Sequence, residues 1–460
     1  METIAVIGGG PAGYVAAIKA AQNGKHVILI EEHEIGGICL NEGCIPTKAL
    51  LKTADTLQSI KKAAYFGVEV DEDSLQINWE KTQDLKNTIV NSLVKGVSYL
   101  MEQNKIQVHK GKASFITANL LRVIQDGEME LIVADHVIIA TGSVPIALPE
   151  DPFDGDWIIN STQALSLANI PTSLLIVGGG VIGCEFASIY SRLGSEVTIV
   201  EKDEQLLPGE DQDMVAILQK ELENDGVSIY TSAVAKLNGK EKSVTIEYQS
   251  KESSLNPEIV LVAIGRKPRI DKLSLEDIGI QYSDKGIIVN ENMRTSIPHI
   301  YACGDVIGGP QLAHVAFHEG IVAGLNACGQ DVKVNYRAIP RCVYSSPEVA
   351  SIGLTENQAR QEYEDIGVGE FPFSANGKAV ILNDTIGKVK VIVEQKFHEI
   401  IGISIVGPSA TELIGQGEMM LSAELTADYF ELTMSPHPSL SEALHEALLQ
   451  VMGQPLHIFT

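Results

Sequence analysis

Cys39 and Cys44 are the residues of this 460-residue chain whose type and spacing speak first of chemistry. They lie in Gly36-Gly37-Ile38-Cys39-Leu40-Asn41-Glu42-Gly43-Cys44-Ile45-Pro46-Thr47-Lys48. In an unbroken helix, positions i and i+5 hold their Cα atoms about 8–9 Å apart, whereas a disulfide needs about 4.4–6.8 Å. The pair can close only where the segment departs from helix, and Gly43 supplies that freedom. The run that follows predicts a helix through Leu57, whose N-terminal dipole favours a thiolate at its start. Glu42 works weakly against that thiolate if it turns inward. Lys48, four residues beyond Cys44, shares its helical face. The chemistry is reversible thiol–disulfide exchange. Two other readings stand beside it. A metal site needs further Cys or His ligands, and His33 alone does not complete a set. Two unrelated core thiols fit poorly with polar Asn41 and Glu42 between them. Cys184, Cys303, Cys328 and Cys342 lie among apolar or small residues and read as core thiols. Six cysteines in a chain of this length are not a disulfide framework.

The elements that must position this pair carry a second signal, present twice. Thr3–Ile7 reads as a strand, Gly8-Gly9-Gly10-Pro11-Ala12-Gly13 as a turn, Tyr14–Asn23 as a helix, and Val27–Ile30 as a strand ending in Glu31. Ser173–Val177, Gly178, Gly180 and Gly183, Val181–Leu193, Val197–Val200 and Glu201 repeat the order. In both copies the acid stands 23 residues after the first glycine. Such glycines allow a tight turn, close approach of backbone to a pyrophosphate, and close helix–strand packing. The helix start then holds the phosphates, and the acid accepts from a ribose. One glycine fingerprint is a weak signal; two with equal spacing and strand context are specific for dinucleotides. Glu201 favours the free hydroxyls of NAD over the 2′-phosphate of NADP, although Lys202 follows it. A solvated surface Glu is the plain alternative.

Length suggests about three domains. The formal net charge is −26, from 34 Lys+Arg and 60 Asp+Glu. That balance argues against a duplex-binding protein, since phosphate contacts need a basic surface. It leaves basic protein partners open, which an acidic surface steers inward. No stretch approaches the roughly 20 apolar residues that span a bilayer. Met1-Glu2-Thr3 lacks a basic leader. A cytoplasmic protein is expected, or a mitochondrial matrix one if it is processed.

The chain resembles the pyridine nucleotide–disulfide oxidoreductase family throughout its length. The resemblance is carried by GGGPAGYVAAI (8–18), GGICLNEGCIPTKALL (36–51), IIATGSVP (138–145), GGGVIGCEFA (178–187), AIGRKP (263–268), YACGDV (301–306), LAHVAFHEG (312–320), VYSSPEVASIGLTE (343–356) and HPSLSEAL (437–444). It implies an α/β fold: two Rossmann-like domains for FAD and NAD, plus an α+β C-terminal dimerisation domain. The expected limits are 1–147 and 270–342 for the FAD-binding parts, 148–269 for the NAD-binding unit and 343–460 for the dimer domain. An antiparallel sheet is expected around 386–407 from alternating apolar residues.

The resemblance also implies site roles. Gly8, Gly10 and Gly13 hold the FAD pyrophosphate and Glu31 its ribose. Gly111 contacts the adenine side, Gly142 is cofactor-binding, Asp305 meets the ribitol and phosphate region, and Ala313 the isoalloxazine. Gly178, Gly180, Gly183, Glu201, Val234 and Gly265 serve NAD. Lys48 sits beside the flavin and pairs with Glu185. His437, framed by Pro436 and Pro438, is the acid–base for substrate thiols, and Glu442 orients it. Ser439 and Glu442 also fit a capping box, so Glu442 has a structural reading too. In the family this histidine reaches the disulfide of the other subunit, which implies a homodimer. The implied substrates are dihydrolipoyl groups on an acyltransferase core or a glycine cleavage carrier protein, with NAD⁺ as final acceptor. The implied docking partner is the acyltransferase's subunit-binding domain; no nucleic acid and no membrane are expected. Glutathione-type reductases share the fold but usually prefer NADPH. A non-catalytic flavin-bound assembly subunit is the alternative from another class, and intact Cys39, Cys44, Lys48, His437 and Glu442 argue against it. Thr47, Ile38, Lys267-Pro268-Arg269 and Met434-Ser435 depart from the commonest pattern without removing a reacting group.

Overall fold

A computed structural model describes residues 2–459. The first unit alternates β1 (Thr3–Ile7), α1 (Pro11–Gln22) and β2 (His26–Glu31), then α2 (Gly37–Glu42), α3 (Cys44–Lys61), α4 (Trp79–Gln103), β3 (Gln107–Lys110) and β4 (His136–Ile139). Its parallel sheet has β4, β1, β2 and β3 side by side, and Ile300–Ala302 completes the edge beyond β4. Ile4, Val6, Leu29 and Ile138 are fully buried. Continuous apolar strands are what a parallel sheet covered on both faces requires.

The chain builds a second such sheet before returning to that edge. β5 (Ser173–Val177), α5 (Val181–Arg192), β6 (Glu196–Val200), α6 (Gln212–Asn224) and β7 (Ser228–Tyr230) follow one another, and β8 (Ile259–Val262) comes after a separate three-stranded antiparallel sheet over 234–255. The sheet order is β7, β6, β5, β8 and then Ile158–Ile159. α3 joins the two units: its Leu50, Leu51 and Ala54 share one core with Leu174, Phe186 and Tyr190. The helix that begins at Cys44 is thereby fixed against α5.

α7 (Ala313–Ala327) crosses α1 where Gly320 and Gly324 leave no Cβ to strike the Ala12 and Ala16 carbonyls. The C-terminal part is antiparallel: β9 (Arg341–Val343), β10 (Glu348–Gly353), β11 (Ile366–Pro372), β12 (Lys388–Glu394) and β13 (Ile400–Gly407). They lie in the order β9, β10, β13, β12, β11, and α8 (Ala410–Ser422) and α9 (Glu442–Val451) share their core. A domain limit at 342/343 would cut through β9, whose three residues all pair with β10. Buried Lys390 on β12 meets Asp213 of α6 at 2.6 Å, tying this sheet to the second unit.

Candidate active site

The expected break between the cysteines falls at Gly43. α2 stops at Glu42, Gly43 takes φ −144° and ψ −105°, and α3 restarts at Cys44 and runs to Lys61, a turn beyond the expected Leu57. Asn41 Nδ2 donates to the Ile35 and Gly37 carbonyls at 3.1 and 2.9 Å, stapling α2 to the loop before it. Thr47 Oγ1 donates to Gly43 O at 2.5 Å and closes the restarted turn. Glu42 borders the same cavity as the cysteines and accepts from Thr162 Oγ1 at 3.4 Å. Both thiols are free, the reduced form of the pair. Hydrogen bonding from Cys39 pulls the Cys44 thiol down to about 7 against the opposing effect of burial, and the Lys48 charge adds to the pull. Cys39, which shares that hydrogen bond and is also buried, is pushed far up. Above about pH 7 the two thiols therefore carry one negative charge, on the cysteine whose ionised form the Lys48 charge favours. Ionisation of the reduced protein should appear as pH rises through about 7. Lys48→Met should move it upward, because a lost positive charge disfavours the thiolate. A pH titration of thiolate absorbance checks both.

Lys48 Nζ donates to both Glu185 oxygens at 2.8 Å, across 137 residues of sequence. Cys39, Cys44, Lys48 and Glu185 line one cavity of about 1310 Å³. Gly8, Gly10, Glu31, Gly111, Gly142, Asp305 and Ala313 line it toward the first unit; Gly178, Gly180, Glu201, Val234 and Gly265 do so toward the second.

The two glycine turns match in detail. Glu31 accepts from Gly9 N–H at 2.6 Å and His33 N–H at 2.7 Å. Glu201 accepts from Gly179 N–H at 2.5 Å and Asp203 N–H at 2.8 Å. α1 and α5 start at Gly10 and Gly180 with no side-chain cap on their first N–H groups, and both helix starts line the cavity. Gly13 and Gly183 are different: neither borders the cavity. A Cβ on either would overlap the carbonyl of the turn's own first glycine, Gly8 or Gly178. These two serve the close approach of helix to turn. Gly180, by contrast, has open space where a Cβ would stand. Gly183→Ala should cost about 1–3 kcal/mol of stability by overpacking. Gly180→Ala should leave thermal stability nearly unchanged and weaken NAD⁺ binding. Thermal melts and nucleotide titration separate the two.

Three residues at the site escaped the sequence reading. Ser143 Oγ donates to Asp305 Oδ2 at 2.5 Å, and Arg266 donates to Ser143 Oγ at 2.8 Å and to its carbonyl at 3.0 Å. Tyr344 N–H donates to Glu185 Oε1 at 3.0 Å. The segments 138–145, 263–268 and 343–356 contained the signal, but nothing in them singles out these side chains.

His437 and Glu442 stand apart from the cavity. His437 Nδ1 meets Glu442 Oε1 at 2.9 Å, and Ser439 N–H donates to Glu442 Oε2 at 2.8 Å. Only half of the expected capping box forms: Ser441 is the N-cap, and the Ser439 hydroxyl turns to Ser441 instead. Glu442 thus braces the loop and the imidazole together. Against the opposing effect of burial, the Ser439 N–H and the His437 ring hold its carboxyl below the usual carboxylate range. The His437 side chain is 78% exposed.

Residues 2–320 match the family model described as pyridine nucleotide-disulphide oxidoreductase, and residues 339–448 match its dimerisation domain. A dihydrolipoyl dehydrogenase of Bacillus subtilis (strain 168) is 52% identical over 99% of this chain and 100% of its own length. One from Geobacillus stearothermophilus is 41% identical over 100% of this chain and 98% of its own. Among solved structures, LpdA from Mycobacterium tuberculosis superposes with a TM-score of 0.90 at 27% identity, covering 98% of this chain and 100% of that one. The HOCl-induced flavoprotein disulfide reductase RclA from Escherichia coli gives 0.85 at 30% identity, with 97% and 99% covered.

Proposed function

This chain belongs to the pyridine nucleotide–disulphide oxidoreductase family, and we propose that it works as a dihydrolipoyl dehydrogenase, oxidising protein-borne dihydrolipoyl groups with NAD⁺. The observation that carries this reading is one cavity in which a dithiol lies between two matching dinucleotide turns. The first turn fits FAD: Gly10, where a Cβ would meet nothing nearer than 3.8 Å, the uncapped helix start and the Glu31 carboxylate line the same cavity. Bound there, FAD supplies the two-electron acceptor between the protein dithiol and NAD⁺. NAD⁺ as substrate suits the second turn, where Glu201 repels a 2′-phosphate.

The chain's own residues handle the sulfur chemistry. His437 of a second copy takes a proton from a substrate thiol, with Glu442 holding its ring. The thiolate attacks Cys39 Sγ of the oxidised pair, a new S–S bond forms there, and Cys44 leaves as thiolate beside Lys48. His437 passes that proton to Cys39 Sγ and takes the proton of the second substrate thiol as this sulfur closes on the first. The mixed S–S bond to Cys39 breaks, lipoamide leaves, and the second proton stays on His437 until it is released to solvent. Two electrons leave the dithiol as the Cys39–Cys44 bond re-forms. The balance is dihydrolipoamide and NAD⁺ to lipoamide, NADH and one proton.

The dimerisation-domain match supports a homodimer. Exposed apolar residues support it further: Leu432 and Met434 (98% exposed) precede His437, and Leu85, Leu93 and Leu100 stripe the outer face of α4. The −26 charge suits the basic subunit-binding domain of an acyltransferase core, and a glycine cleavage carrier is the other lipoyl source. The bacterial relatives support a cytoplasmic setting. The deciding test is steady-state turnover of dihydrolipoamide with NAD⁺ against glutathione disulfide with NADPH. The first pair should react and the second should not. The reverse, or a flavin-replete but inactive dimer, would overturn the proposal.

A further inference from the structure

The segment after β9 reaches the redox pair from the C-terminal sheet of the same chain. Its backbone donates twice to α5: Tyr344 N–H to Glu185 Oε1 at 3.0 Å, and Ser346 N–H to Ser188 Oγ at 3.1 Å. Beside those anchors, the Tyr344 ring lies under Lys48, whose Nζ stands 4.4 Å from the ring centroid. The same Nζ donates to both Glu185 oxygens. One ammonium is therefore held by a carboxylate and by the negative face of an aromatic ring.

The carboxylate alone would not hold it in place. A lysine stem is flexible, and the Lys48 side chain is 32% exposed where it borders the cavity. Glu185 fixes the ammonium's distance from itself; the ring removes rotamers that swing the charge into the open space. The Tyr344 N–H in turn sets the bearing of Glu185. Other charged or titratable groups face this spot from each neighbouring element. They are Cys39 and Glu42 of α2, Cys44 of α3, Arg266, Asp305, Cys342, Glu348 of β10 and Glu412 of α8. Of these only Arg266 is a second cation, and it is engaged with Ser143.

We propose that Tyr344 is a positioning residue: its ring and backbone hold the Lys48–Glu185 pair so that the ammonium stays beside Cys44. The C-terminal part of the chain is in this way built into its own redox centre, apart from anything it offers a second copy. The inference rests on the dithiol reading of the site given above.

The test uses the flavin-loaded enzyme. Tyr344→Phe keeps the ring. Tyr344→Leu and Tyr344→Met fill the space without a π face, and two such variants guard against one misfolding. Thiolate absorbance of the reduced protein is titrated with pH as a difference against Cys44→Ser, and kcat and KM are measured with dihydrolipoamide. Leu and Met should raise the pH of Cys44 ionisation and lower kcat about 3–30-fold. KM should stay within about 2-fold, since substrate contacts are untouched. Phe should match the parent in both readouts. Leu and Met titrating like the parent, or Phe shifting as far as Leu, would overturn the proposal. A parent enzyme that ignores dihydrolipoamide would instead sink the proposed function, and the titration would still decide the role of Tyr344.

Discussion

Cys44→Ser should lose dihydrolipoamide oxidation by about 10⁴-fold or more, because the covalent route through the pair disappears. The protein should still purify yellow. The serine keeps the start of α3 intact, and the turns at Gly8 and Gly178 are held by bonds that do not involve the thiol. NADH-driven reduction of a small artificial acceptor should persist, since that path bypasses the dithiol. The measurement is a paired assay of the two activities with the flavin content of each preparation. Full dithiol turnover in the variant would end the scheme.

His437→Gln should lower kcat/KM for dihydrolipoamide by about 10²–10⁴-fold, the usual worth of a placed acid–base. Its more telling outcome comes from mixing. His437 is exposed and does not border the cavity of its own chain. If it serves the dithiol of a second copy, a dimer of one Cys44→Ser subunit and one His437→Gln subunit has one intact site and one doubly damaged site. Random reassociation of the two inactive proteins should then restore about a quarter of parental activity in a two-fold dimer. An arrangement within one chain predicts no recovery, so a mixture that stays dead would refute the shared site.

Much of this was legible in the residues. The two strand–turn–helix units, the acids that close them and the break at Gly43 each follow from local chemistry, and each forms within a residue or a few of its expected limits. The C-terminal strands at Lys388–Glu394 and Ile400–Gly407 follow from alternation in the same way. What escaped depends on contacts between distant segments. Ser143, Arg266 and Tyr344 matter through partners 123 to 162 residues away, and no period or spacing marks such pairs. Gly10 and Gly13 look alike in a fingerprint, but only three-dimensional packing shows that Gly13 is pressed against Gly8 while Gly10 is not. The box at Ser439 forms only by half because Ser441, two residues on, competes for its hydroxyl.

That difference among the glycines has a consequence for how such a chain ages. The first and third glycines of each turn are demanded by the polypeptide itself, since a side chain there meets backbone. The second is demanded by the guest, because around Gly180 the protein leaves room. A descendant freed from handling nucleotides would drift at positions 10 and 180 while 8, 13, 178 and 183 stayed frozen. The fingerprint is thus two inscriptions laid over each other, one recording ancestry of shape and the other continued employment. Only the second glycine can tell a working copy from a retired one.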